Sequence, residues 1–242
     1  VAFYDANAHK PYGAETTLGS IPAGYTYFAQ FVIHDLIRSR LNKEVEPGTT
    51  GYEAENLEPG LLELHALYGF GPQHSPELYN GNSGLLLEGQ FNNAACPNYG
   101  SGKAGDIPRK NGNCNPGLQP LLADLRNADS LLLQQVTALF IRFHNLVFAK
   151  LVFSGSPTPF ETARQHVVAC YRNMVWKELL AKLIKPETYA KFNSKPKNPG
   201  NGKHFTLTVE AVFGALRFGH SMVRPSYFLR NLPMNPPAIA AL

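Results

Sequence analysis

The chain has 242 residues, 44% of them hydrophobic and 17% charged, which suits one large domain with a sizeable core. Its formal net charge is +4, yet no lysine- or arginine-rich run is long enough for a nucleic-acid footprint, and that class of partner is set aside. Three cysteines are too few for a disulfide framework and leave the compartment open: secreted, periplasmic or cytoplasmic.

Helical periodicity dominates and strand signals are sparse, so the expected fold is mostly α, a single domain over residues 1–242 with long loops. The first expected helix, Pro22 to Leu41, contains "YTYFAQFVIHDLIR" (25–38), whose aromatic and β-branched residues would also suit a strand. Within it Gln30 and His34 stand four residues apart and share one helical face. The connections Glu44 to Glu58 and Asn80 to Pro120 follow. The second is longer than ordinary connections inside a compact domain and reads as functional or as wrapped around something. Cys96 and Cys114 flank a Gly/Asn/Pro-rich part of it and could bridge.

"LADLRNADS" (122–130) places Arg126 just before a helix, with Asn127 or Asp129 as the expected cap. The helix itself, Ser130 to Leu151, repeats Leu132, Val136, Leu139, Phe140, Phe143 and Val147 at three- and four-residue steps. A further helix is expected over Pro159 to Ile184, with Cys170 as a buried thiol. Lys185 to Lys203 is basic but rich in Pro, Gly and Asn, and reads as a solvated loop. The last expected helix is Thr206 to Val223. No apolar run is expected to supply the roughly 18 residues of a membrane span, and Val1 opens no signal peptide.

Of the eight histidines, His9, His74 and His204 sit among polar or turn residues and read as surface positions. His65 and His166 lie in helical text without partners and read as structural. His34 follows Gln30 by one turn and precedes Asp35. An imidazole oriented by a neighbouring amide can serve as a general acid and base near neutral pH, and the same pattern also describes a satisfied core histidine. His220, in "FGALRFGHSMVRPSYF", follows Gly219, whose missing side chain leaves a gap for a flat cofactor or for a helix–helix contact. Arg217 and Arg224 bracket it and could pair with ligand carboxylates. Arg126 is either a positive group facing a pocket or a surface arginine beside a helix cap.

As an ordered set, "TYFAQFVIHDL", "ADLRNADSLLLQQVTALFIRFHNLVF" and "RFGHSMVRP" resemble the animal-type haem peroxidases. That superfamily includes myeloperoxidase, lactoperoxidase, cyclooxygenase and many bacterial members. "LYGFGPQHSPELY" (67–79) and "ARQHVVACYRNMVWKELL" (163–180) also look like family text, so the resemblance runs through nearly the whole chain. It implies a haem between a distal helix at about 22–41 and a proximal helix at about 206–223. The distal glutamine, histidine and arginine fall on Gln30, His34 and Arg126, and the proximal iron ligand on His220. Arg217 matches an arginine near a haem propionate, and His144, in "RFHN", matches a structural position.

The implied activity is that of a haem-dependent peroxidase, reducing hydrogen peroxide and oxidising small donors such as phenols, iodide or bromide through a ferryl intermediate. His34 would move the peroxide proton, Arg126 would stabilise charge as the O–O bond breaks, and Gln30 would position water or peroxide. Two alternatives stay open: lipid-peroxide or fatty-acid oxygenation, and a non-enzymatic haem-binding or interaction protein. The oxygenating branch carries a radical-forming tyrosine where this chain has Arg217, which favours simple peroxidase chemistry.

The departures from the family pattern refine the cofactor. Ile33 replaces an aspartate that esterifies haem, Asp129 replaces a glutamate with the same use, and Ser130 stands where myeloperoxidase has a methionine. Non-covalent haem b is the expectation, with one ester through Asp129 left open, and chloride oxidation is not expected. Asp35 matches a family calcium ligand, but "PGLLELHALYG" (59–69) offers only Glu63 in support, so calcium is left open. Family members continue with further helices beyond the point matching Leu242, so a further C-terminal segment or a second chain is expected to complete the fold.

Overall fold

Three helices carry the core of the computed structural model, which describes residues 4–5, 10–11, 21–42, 53–56, 58, 60–89, 106–110, 119–194, 208–223, 226–227 and 239–240. These are α1 (Ala23–Leu36), α3 (Leu131–Phe153) and α4 (Pro159–Met174). Shorter helices are α2 (His65–Tyr68), α5 (Ala181–Leu183), α6 (Pro186–Asn193) and α7 (Val209–Phe213). Tight 3-10 turns run over Leu125–Ala128 and Ala215–Met222, and a π-helical turn, Val175–Leu180, joins α4 to α5. Three antiparallel strand pairs accompany them: β1 (Tyr4–Asp5) with β2 (Lys10–Pro11), β3 (Ser39–Asn42) with β4 (Glu53–Asn56), and β5 (Ser226–Tyr227) with β6 (Ile239–Ala240).

α3 is the spine. Ser130 caps it by accepting the Leu133 N–H at 3.3 Å, and neither Gly nor Pro interrupts its 23 residues. Leu133, Phe140, Ile141 and Phe148 recur on its buried face and meet α1 on one side and α4 on the other. Pro159 starts α4 at a position where the missing N–H costs nothing. Phe31 of α1 stacks on Phe140 of α3 at 5.0 Å, and Tyr171 of α4 stands edge-on to Phe140 at 5.8 Å. Each such pair adds about 0.5–1.5 kcal/mol beyond area burial, so the aromatic contact that joins the three helices also fixes where α1 sits.

Several expectations are corrected. The first helix ends at Leu36, not Leu41, because the Asn56 amide captures its end: Asn56 Nδ2 donates to the Leu36 carbonyl at 3.0 Å and Oδ1 accepts from the Arg38 N–H at 2.8 Å. The chain then pairs as β3, Ser39 opposite Asn56. The helix expected over 206–223 is α7 plus a separate 3-10 turn, broken at Gly214, where a Cβ would lie 2.8 Å from the Glu210 carbonyl oxygen. Half of the stretch read as solvated loop, Pro186–Asn193, is α6, tied down by Tyr189 Oη donating to the Trp176 carbonyl at 3.1 Å and Trp176 Nε1 donating to Asn193 at 2.9 Å.

Cys170 is exposed rather than buried, because the inward phase of α4 is set by Ala163, Val167 and Tyr171. His65 is not without partners: Glu58 and Glu63 lie 3.6 and 3.8 Å from its two ring nitrogens. α3 is long and apolar enough to cross a bilayer, with a mean hydropathy of 1.5 over its best window, against the expectation of no such run. Its Thr137, His144 and Asn145 are buried and hydrogen-bonded within the protein, which is how a core helix passes the same test. The expectations for His9, His204, Arg224, Cys96 and Cys114 lie outside the described residues.

Candidate active site

The site is built where the turn 124–128 meets α1. Asp124 opens the turn by accepting the Arg126 backbone N–H at 3.0 Å, and the same carboxylate takes the Arg126 Nε at 3.0 Å on each oxygen. Arg126 Nη2, also paired with Asp124, donates to the backbone carbonyl of His34 at 3.0 Å. Asn127, fully buried, places its Oδ1 at 2.8 Å from His34 Nδ1. One short turn therefore grips both the backbone and the ring of the same histidine.

The electrostatics follow from this packing. Burial holds the His34 pKa below the ordinary histidine value, the Arg126 charge adds to that, and the bond to Asn127 opposes it. His34 is thus neutral at pH 7. With the amide oxygen as its partner, Nδ1 carries the proton and Nε2 keeps a lone pair. Burial alone would raise Asp124, but the hydrogen bond and charge of Arg126 outweigh it and keep the carboxyl below the usual range. Asn127 Nδ2 is buried without a partner, an unmet donor that costs about 1–3 kcal/mol and that leaves the amide committed to His34.

The other expected residues are placed unevenly. Gln30 is half-buried one turn before His34, and Ile33 is half-buried beside it. Asp129 is exposed at the surface. Arg217 is half-buried on the 215–222 turn, and its Nε donates to the Val212 carbonyl at 3.3 Å. His220, on the same turn, is exposed, and its ring makes no hydrogen bond among the described residues. α1 packs against this turn, so the two histidine-bearing segments are neighbours. Gly219, directly before His220, is buried, and a Cβ built on it meets nothing within 4 Å.

A cleft of about 720 Å³ opens beside the site. Arg126 and Arg217 both line it, together with Arg38 and Lys110, whereas Gln30, His34 and His220 do not. A neutral buried imidazole on α1, an imidazole without a hydrogen bond among the described residues on the neighbouring turn, and the open space at Gly219 fit a flat group whose metal takes a nitrogen ligand, while the cleft beside them is lined by neither histidine.

Asp35 points elsewhere. It is fully buried, accepts the Leu64 N–H at 2.9 Å and, weakly, the Ala66 N–H at 3.4 Å. Burial raises its pKa and those two bonds oppose the rise. The Tyr171 hydroxyl lies close enough to Asp35 to oppose that rise as well, although its geometry falls outside that of a regular hydrogen bond. The clamp holds Leu64 in the left-handed region at φ 59°, a conformation costing of order 1–3 kcal/mol. Backbone donors, not further oxygens, face the carboxylate, and no cluster of three metal-ligating side chains occurs among the described residues. Glu63, the other expected ligand, pairs with Arg164 and Arg172. A calcium ion does not fit these residues.

His144 is a structural histidine, as expected. Burial lowers its pKa, Nε2 lies 3.0 Å from the Gly84 carbonyl and Nδ1 3.1 Å from the Tyr68 hydroxyl. Its neighbour Asn145 exchanges two 2.9 Å bonds with the Leu86 backbone. Two residues escape the sequence: Asp124, not singled out, and Asn127, read only as a cap. The spacing Asp-x-Arg-Asn was the available signal, since a turn that short lets the carboxylate reach back to its own arginine.

The animal haem peroxidase family model matches residues 20–240. No curated protein matches the chain.

Proposed function

We propose, because the chain belongs to the animal haem peroxidase family, that it is a haem-dependent peroxidase reducing hydrogen peroxide at the expense of small donors such as phenols, iodide or bromide. The observation that carries this is the His34 arrangement: a buried, neutral imidazole whose Nδ1 is tied to Asn127 at 2.8 Å, leaving Nε2 as the base, with Arg126 bonded to the same residue. Haem, when bound, supplies the electron transfer between peroxide and donor.

The chain's own residues do the rest. His220 would hold the iron through a ring nitrogen, and Arg217 would pair with a carboxylate of the porphyrin. Ile33 has no carboxyl to esterify and Asp129 is exposed, which supports haem b held without a covalent link. His34 Nε2 accepts the proton of the peroxide and returns it to the departing oxygen, which leaves as water. Arg126 offers its positive charge to the negative charge that develops in that step, from a position set by Asp124. Asn127 keeps the His34 proton on Nδ1 throughout, and Gln30 orients peroxide or water from one helical turn away.

Reconstitution with haem tests this. A Soret band that shifts on adding peroxide, and a His34→Ala variant that binds haem yet loses the shift, are the expected results. Absence of haem binding, or a wild-type reaction rate in His34→Ala, overturns the reading.

A further inference from the structure

We infer that the cleft beside the site takes an aromatic monoanion, a phenol bearing one carboxylate, as electron donor, with Arg38 and Lys110 as the groups that select it. The assignment rests on the peroxidase reading above and names its donor class. Neither histidine lines the cleft, so the space lies beside the cofactor rather than belonging to it. Four cations line it, Arg38, Lys110, Arg126 and Arg217, against two acids, Glu77 and Asp124. Asp124 holds Arg126 in a multiply bonded ion pair of little net charge, and Arg217 is given to the porphyrin. Arg38 and Lys110 then remain on the lining with Glu77, two positive charges against one negative, an excess that a single carboxylate balances. Neither cation has a carboxylate within ion-pair distance among the described residues, and Glu58 feels the Arg38 charge only from farther away.

The lining also suits the rest of such a molecule. Leu78, Leu121 and Leu122 supply apolar wall, which an inorganic anion would leave unused and an aromatic ring covers. The volume of about 720 Å³ falls within the roughly 300–1,000 Å³ of small-molecule sites. Both cations stand on held backbone: the Arg38 N–H donates to Asn56 Oδ1 at 2.8 Å, and the Lys110 N–H donates to the Gln119 carbonyl at 3.0 Å. Both residues are exposed, so their charges attract an anion arriving from solvent and meet it with charge-assisted hydrogen bonds. Arg126 ties the cleft to the chemistry, because it lines the cleft and also donates to the His34 carbonyl at 3.0 Å. A bound donor is thus one side chain away from the residue that handles peroxide. Each donor gives up one electron and its phenolic proton, so two donors and one hydrogen peroxide yield two phenoxyl radicals and two waters, with haem carrying the electrons.

The probes are 4-hydroxyphenylacetate and tyramine, which share the phenol ring and differ in the charge of the tail. By calorimetric titration of the haem-loaded protein, the acid is expected to bind at least about tenfold more tightly than the amine, one charge-assisted contact being worth that much. The gap should narrow as salt is raised, and peroxide-driven oxidation should show the same preference in KM. Arg38→Ala and Lys110→Ala should each weaken binding of the acid by about tenfold, leave the amine bound no more weakly and leave the Soret spectrum unchanged. Arg38→Lys and Lys110→Arg should restore part of the loss. Equal affinity for the two phenols, or unchanged affinity for the acid in both alanine variants, overturns the donor class and leaves the haem reading standing. A chain that binds the acid selectively yet takes up no haem overturns the haem reading, and the donor role with it.

Discussion

The two turns that pack on α1 differ in how far their bonds reach. Residues 124–128 add long-range bonds to their local ones: Arg126 reaches the His34 carbonyl and Asn127 reaches the His34 ring, across 92 and 93 residues of chain. Residues 209–222 close on themselves through Gly214 N–H to the Glu210 carbonyl at 3.0 Å, Arg217 Nε to the Val212 carbonyl at 3.3 Å, and Ser221 Oγ to the Phe218 carbonyl at 2.7 Å. The difference matches the roles proposed for the two histidines. A proton-transferring imidazole must hold one tautomer and one direction before its substrate arrives. A ligand imidazole takes its direction from the metal it binds, with partners on its second nitrogen as refinement.

Exchanging the two lesions gives the largest effects. In haem-loaded protein, His34→Ala is expected to slow the peroxide reaction by roughly 10²–10⁴-fold, measured by stopped-flow absorbance, with haem affinity unchanged. His220→Ala should do the reverse, lowering haem affinity and altering the resting Soret spectrum. If His220→Ala leaves that spectrum intact, the iron ligand is some other residue.

Asn127→Leu probes the orienting bond itself and is expected to slow the peroxide step by roughly 10–100-fold, the usual cost of losing such a partner. It should also shift the acid limb of the rate profile to lower pH, because the bond that raises the His34 pKa is gone. Asn127→Asp should shift the limb upward, since a carboxylate favours the imidazolium. A packing role alone would move neither limb.

Smallest is the pH effect in the unaltered protein. Burial places the folded pKa of His34 and of His144 below 6.5. The unfolded chain therefore binds more protons between those folded values and 6.5, and stability falls as pH drops through that window. Denaturant midpoints should decrease from pH 7 toward pH 5, and the peroxide rate should hold to below 6.5. A midpoint rising over that range contradicts the buried, neutral assignment.

What could be read from the sequence was local. α3 is legible nearly to its ends because its three-four periodicity is contained within the helix itself, although Ser130 caps it rather than the expected Asn127 or Asp129. α1 was overextended because its end is captured by Asn56, 18 and 20 residues away from the groups it bonds. Cys170 was misplaced because an apolar stretch does not reveal helical phase, which Val167 and Tyr171 settle by packing. The partners of His65 are hidden in the sequence because Glu58 and Glu63 meet it only through the turn of the chain.

By itself the sequence determined the family and the mostly helical class, and it singled out His34, Arg126 and His220 as candidates, because ordered motifs survive without knowing where they sit. Only the tertiary structure decided what those residues touch. It gave Arg126 a carboxylate partner, turned Asp35 toward backbone N–H donors rather than a cation, and supplied Asn127 as the group that sets the His34 tautomer. The reason is distance: a hydrogen bond needs about 3 Å in space, and residues 93 apart in the chain are brought that close only when α1 and α3 pack.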